Sequence, residues 1–346
     1  MNGEEAFERG KEFYEQEEYL KAIECYEKAL EDETFETPGR AWYNRGIAHD
    51  DLKEYKKAID CYEKALDDET FETPGKVWNN MGVAYDALGE YEKAVERYKK
   101  ALEDTKYETS SKVRYNMGNA YWNLEEYEKA IECYEKAIHH DPEYAIAYNN
   151  LGELLYKLKR PIDAEEQFRK AIQINSDLDE SHYYLGNILT DEECYEYAKK
   201  EYEMALESEP TDADYLNSLG YVLVELGQQK KAKENFEAAI SSDSTHSKAH
   251  HNLRALKKIS ETKILTVPRG LMAAILLVSI STYYLFCHDK LSGTEFVALI
   301  VFLMSLLTAT VLFSESNHFK VGPSGIELSR DTEGKAIKSK SIEFIK

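Results

Sequence analysis

Few residues in this chain are spaced for bond-making chemistry. His139, His140 and Asp141 stand together before Pro142, and His246 and His250 lie four apart, one helical turn. A metal centre needs three or four converging ligands, and no Cys or His at zinc-ligand spacing completes either pair. Histidines in the last turn of a helix are expected on dipole grounds alone. Cys25, Cys61 and Cys133 each sit one residue before a tyrosine, Cys194 and Cys287 are isolated, and no Cys-x-x-Cys occurs. No Gly-x-Gly-x-x-Gly, Gly-x-x-x-x-Gly-Lys-Ser/Thr, Gly-x-Ser-x-Gly or His-Glu-x-x-His is present. The 65 acidic residues follow stretches such as EEYEKAIECYEKAI, where Glu and Lys three or four apart support one another on an exposed helix face. The reading is a chain that is not an enzyme, with no cofactor and no metal.

The elements that carry these residues are set by a returning glycine. Gly10, Gly46, Gly82, Gly118, Gly152, Gly186 and Gly220 recur at intervals of 36, 36, 36, 34, 34 and 34. Twelve residues after each comes an alanine (Ala22, Ala58, Ala94, Ala130, Ala164, Ala198, Ala232), then an aromatic (Tyr26, Tyr62, Tyr98, Tyr134, Phe168, Tyr202, Phe236) and a second alanine three further on. Small residues let two helices approach while the aromatic fills the neighbouring gap, so each unit reads as an antiparallel helical pair. One pair cannot bury its own apolar stripe, and stacked pairs can.

With Trp42 or Trp78 opening the first helix, Leu-Gly or Met-Gly within it, the Ala–aromatic–Ala run, and Pro142 and Pro210 closing the fourth and sixth units, the unit resembles the tetratricopeptide repeat. The implied fold is an all-α tetratricopeptide superhelix of seven repeats, near 3–36, 39–72, 75–108, 111–144, 145–178, 179–212 and 213–246, with a capping helix at 247–260. The segment DETFETPG, present at both Asp32–Gly39 and Asp68–Gly75, accounts for the two extra residues of the longer units.

The resemblance implies a groove lined by the first helix of each unit, and hence protein or peptide ligands. The matching positions are Tyr43, Asn44, Asn79, Asn80, Tyr115, Asn116, Asn149, Asn150, Tyr183, Tyr184, Asn217 and Ser218 before the glycine. After it come Asn119 and Asn187, then Asp50, Asp86, Trp122 and Tyr156. Amides can bond an extended peptide backbone, and rigid aromatics give contact area at low entropy cost. The bland alternative is that the asparagine two residues before the glycine belongs to the family's consensus and bonds the neighbouring helix. The family's carboxylate clamp for heat-shock chaperone tails is excluded, since Phe7, Lys11, Asn44, Asn79 and Val83 stand at its positions and only Asn44 fits. Arg40, Lys76 and Lys112 form a basic line expected to pair with nearby glutamates.

Charge divides the chain. Residues 254–269 carry +4, 270–313 carry −1 and the remainder from 314 carries +1, which leaves −26 on residues 1–253 of a total of −22. Such acidity disfavours nucleic acid as a partner. Gly270–Cys287 and Phe296–Phe313 are each 18 residues without a charge, and ~27 Å of helix nearly matches a hydrocarbon core of ~30 Å. They read as two transmembrane helices (270–288 and 296–314) after a basic juxtamembrane linker at 261–269, placing residues 270–313 in the lipid bilayer. Five basic residues precede the first span and only Lys290 separates the two, so both termini are expected on the cytoplasmic side of a cell membrane. In the tail, 315–346, Phe319–Val321 and Ile326–Leu328 flank Gly322-Pro323-Ser324-Gly325 and suggest a β-hairpin. The function expected is a membrane-tethered interaction scaffold, with a regulatory or assembly subunit of a transport or secretion complex as the alternative.

Overall fold

The structure, a computed structural model, describes residues 1–68, 71–104, 110–265, 292–295, 297, 318–322 and 325–329. Among them are the helices α1 (Gly3–Glu15), α2 (Tyr19–Leu30), α3 (Pro38–Asp51), α4 (Tyr55–Leu66), α5 (Pro74–Ala87), α6 (Tyr91–Glu103), α7 (Ser110–Asn123) and α8 (Tyr127–His140). They continue as α9 (Ala145–Lys157), α10 (Pro161–Ile174), α11 (Asp179–Asp191), α12 (Tyr195–Ser208), α13 (Ala213–Glu225), α14 (Gln229–Ser242) and α15 (Ser247–Leu265). Two compact units, Met1–Tyr184 and Leu185–Lys346, divide the chain. The expected capping helix is α15, and it continues to Leu265, so residues 261–265 are helical rather than linker.

Each odd-numbered helix up to α13 pairs with the next through one contact. A methyl group added at any of the seven periodic glycines would stand 2.5–2.8 Å from Cε1 of the aromatic sixteen residues later. Those rings, Tyr26, Tyr62, Tyr98, Tyr134, Phe168, Tyr202 and Phe236, are completely or almost completely buried, as are the alanines on either side. Only glycine leaves room for the ring, and only a ring fills the space that glycine leaves.

Local signals start and stop the helices. Pro38, Pro74 and Pro161 occupy first-turn positions where no N–H is needed. Asn2 accepts from the Glu5 N–H at 2.8 Å while Glu5 accepts from the Asn2 N–H at 3.1 Å. Seven residues after each periodic glycine the backbone turns left-handed, at Glu17, Lys53, Gly89, Glu125, Lys159, Glu193 and Gly227. The next N–H then bonds back five residues, as from Glu54 to the His49 carbonyl (2.8 Å) and from Glu126 to Tyr121 (2.9 Å).

The longer units carry a further closure. Gly3, Gly39 and Gly75 donate their N–H groups to Asp32, Asp68 and Asp104 at 2.6, 2.7 and 2.8 Å, each 29 residues on. These are first-turn donors that a helix cannot satisfy internally, so the carboxylate binds the start of the first helix to the end of the second.

The tail residues form β1 (His318–Gly322) and β2 (Gly325–Ser329), antiparallel with Gly322 opposite Gly325, the hairpin anticipated from the turn residues. No helix of the described residues is long and apolar enough to cross a membrane. Nearly all of both apolar segments, 270–291 and 298–313, lies outside the described residues.

The left-handed turns can be tested. Nothing lies within 4 Å of a methyl added at Gly89, yet its φ is +73°. A left-handed non-glycine residue costs ~1–2 kcal/mol, against ~0.5–1 kcal/mol for the extra freedom of glycine when unfolded. Lys53→Gly should therefore raise stability by about 0.5–1 kcal/mol and Gly89→Ala lower it by a similar amount, read from urea unfolding.

Candidate functional site

The side of the first helices that carries the sequence-selected amides also receives the hydroxyls of the buried tyrosines. Burial raises the pKa of every one of these phenols that titrates abnormally, so each hydroxyl stays protonated and seeks an acceptor. Two positions supply it. Four residues after the glycine, Asp50 accepts from Tyr62 at 2.5 Å. One residue after it, Asn119 accepts from Tyr134 at 2.7 Å and Asn187 from Tyr202 at 2.8 Å. Where the acceptor is Asp50, the other position is Ile47; where it is Asn119, the other is Trp122.

The following unit supplies a donor to the same hydroxyls. Asn44, Asn80 and Asn150, each two residues before a glycine, stand by the hydroxyls of Tyr26, Tyr62 and Tyr134 and oppose the rise in their pKa. Asn80 and Asn150 also donate to the hydroxyls of Tyr43 (3.2 Å) and Tyr115 (3.0 Å), and Asn150 to Asn119 (3.1 Å). Unit five has Phe168, which has no hydroxyl, and the next position is Tyr184, whose ring stacks on Phe168 at 5.4 Å and 7°. An amide would be wasted there.

These contacts sort the residues selected from the sequence. Asn149 is 2% exposed, donates to Glu180 (2.9 Å) and accepts from Ser181 (2.6 Å); Asn217 is 1% exposed and accepts from Asn252 (2.9 Å). Both tie helices together. Tyr43 packs on Tyr62 and Phe71, Tyr115 on Tyr134 and Tyr144, and Tyr183 on Tyr184. Asn79, Asn116 and Trp122 are half-buried and keep polar groups to spare. The Asn79 Oδ1 has no donor among the described residues, and the Lys157 ammonium lies 5.5 Å from the Trp122 ring.

The remaining candidates are structural. His246 accepts the Ala249 N–H at 3.0 Å and bonds Asp214 at 3.2 Å, while His250 bonds the Ser244 carbonyl. Burial pushes the Cys61 and Cys133 thiols up to about 11, far from a reactive thiolate. Instead of pairing with glutamate, the Arg40 guanidinium lies 5.3 Å over the Phe7 ring, and none of Arg40, Lys76 and Lys112 forms a salt bridge among the described residues. A cleft of about 360 Å³ between α8, α9 and α10 has Ile131 and Leu155 in its wall, but its rim charges pair among themselves, Lys170 with Glu166 and Arg160 with Asp163.

Two aspartates on this face were chosen from the sequence for position alone, and their protonation is unusual. Burial pushes Asp50 up to about 6, with Asp51 adding to the rise and the Tyr62 hydroxyl opposing it. Burial alone raises Asp86. A carboxyl with a raised folded pKa binds its proton more tightly when folded. Its stabilising contribution is therefore complete below about pH 4 and lost as pH rises through about 6. Unfolding free energy measured from pH 4 to 7 should fall more steeply in the parent than in Asp50→Asn, which lacks the titration.

The family model for the tetratricopeptide repeat matches residues 39–67, 75–103, 111–144 and 145–178, and a second tetratricopeptide model matches residues 201–234. No curated protein sequence matches the chain. Among solved structures, a tetratricopeptide-repeat protein from Cytophaga hutchinsonii is similar at 19% identity and TM-score 0.56, covering 70% of this chain and 97% of that one. Pseudomonas aeruginosa pilF follows at 20% and 0.54, covering 60% and 92%. YrrB, described as a tetratricopeptide-repeat protein with an unusual peptide-binding site, is 25% identical over 56% of this chain and 97% of its own, at TM-score 0.46. The helical pairs of this chain are tetratricopeptide repeats, an all-α fold suited to protein–protein interaction.

Proposed function

We propose that the chain is a non-enzymatic scaffold, tethered to a membrane, that presents the faces of its first helices to protein or peptide ligands. The observation that carries the reading is unspent recognition capacity. Asn79, Asn116 and Trp122 lie half-buried on that face without being consumed by packing, whereas the buried amides Asn149 and Asn217 are. Nucleic acid is a poor partner for residues 1–253, which carry −26.

The tether reading rests on the two uncharged 18-residue stretches and the basic residues before them. It gains support where the second stretch begins. Ser292 donates its N–H to Glu295 at 2.8 Å and accepts the Glu295 N–H at 3.3 Å, a reciprocal cap that starts a helix next to Phe296. On this reading both termini are cytoplasmic.

The test combines topology with capture. In a Cys287→Ser background, cysteines at Ser292 and Ser339 should label from opposite sides of sealed cells with an impermeant thiol reagent. A photo-crosslinking residue at Asn116 should capture protein in the membrane fraction, and one at buried Asn217 should not. Labelling of both cysteines from the same side would overturn the tether, and equal capture at Asn116 and Asn217 would overturn the interaction face.

A further inference from the structure

Some carboxylates of the repeats are paired within the chain: Glu18, Glu54, Glu90 and Glu126 each hold a lysine three residues on, and Glu132 and Glu166 one four residues on. Asp50 and Asp86 are not, and both are half-buried. They occupy the same position in two successive units, near the ends of α3 and α5, and neither makes an ion pair among the described residues. No basic side chain acts on either: burial and Asp51 govern Asp50, and burial alone governs Asp86.

Their hydrogen bonding is also incomplete. Asp50 spends Oδ2 on Tyr62, but among the described residues its Oδ1 has no donor; Asp86 Oδ1 and Asn79 Oδ1 have none there either, and all three atoms are withdrawn from solvent. Withdrawn, unpaired acceptors are costly to leave unmade. Beside them on α5, Val83 leaves 40% of its surface exposed, an apolar spot among acceptors.

We infer that this face of α3 and α5 takes a cationic peptide segment, whose lysine or arginine side chains donate to Asp50, Asn79 and Asp86 while an apolar side chain lies on Val83. The inference rests on the interaction-face reading and names its ligand class. An ammonium or guanidinium group brings three to five donors and the opposite charge. The site is confined to these two helices, since α7 and α9 carry Trp122 and Tyr156 at the matching position.

The probes are fluorescein-labelled, end-capped peptides of five Lys-Val, five Gln-Val or five Glu-Val pairs, titrated against the full-length chain in mild detergent and read by anisotropy at 0.15 M salt. The Lys-Val peptide should bind at least tenfold tighter than the other two. Asp50→Asn with Asp86→Asn should weaken it at least tenfold, with an unchanged helical circular-dichroism spectrum. A control pair that removes the same charge from the second helices, Glu24→Gln with Asp60→Asn, both exposed, should change it less than twofold. Equal loss in both pairs would show attraction to general acidity and overturn the inference. Tighter Gln-Val binding that Val83→Glu abolishes would overturn the cationic class and leave the interaction face standing. No peptide binding sensitive to Val83→Glu or to the aspartates would count against both.

Discussion

The contact on which everything else depends is that between a first-helix glycine and the aromatic edge sixteen residues later. A ring carbon standing 2.5–2.8 Å from where a side chain would begin leaves no tolerance for any residue larger than glycine. That contact fixes how close the two helices of a unit come, and so which residues of the first helix reach the next unit. Alanines flanking the ring on the second helix do the same from the other side.

Choosing tyrosine for most of these rings adds an obligation. A buried hydroxyl needs partners, and the first helices provide an acceptor from the same unit and an amide from the next. The interaction face is therefore partly a by-product of the core. Asn44, Asn80 and Asn150 are spoken for by hydroxyls beneath them. On the proposed reading, recognition is left to positions the core does not require, Asn79, Val83, Asn116 and Trp122, and to aspartate oxygens without a donor among the described residues.

The repeat was legible because its steric lock repeats in register: seven glycines, seven rings and fourteen alanines admit one arrangement. The tail hairpin was legible from Gly322-Pro323-Ser324-Gly325 because the turn chemistry is local. Individual amides were not, since Asn149 and Asn79 both stand three residues before a periodic glycine, yet Glu180 and Ser181 of the next unit take up Asn149 while the Asn79 Oδ1 has no donor among the described residues. Two features carried signals that went unread. The carboxylate closures follow the same 36-residue spacing in Gly3, Gly39, Gly75 and in Asp32, Asp68, Asp104. The exchange of Asn for Tyr184 coincides with the exchange of tyrosine for Phe168. Arg40 lies over the aromatic face of Phe7 and makes no ion pair among the described residues.

The glycine–ring contact is tested most directly by a double-mutant cycle of Gly118→Ala and Tyr134→Ala, with unfolding free energies from urea titration followed by helical circular dichroism. Alone, Gly118→Ala should destabilise by about 1–3 kcal/mol through overpacking. With the ring removed, the same change should become neutral or favourable by up to ~1 kcal/mol, the helix propensity that alanine holds over glycine. An equal loss in both backgrounds would show that Gly118 is not there to admit the ring, and would contradict the account.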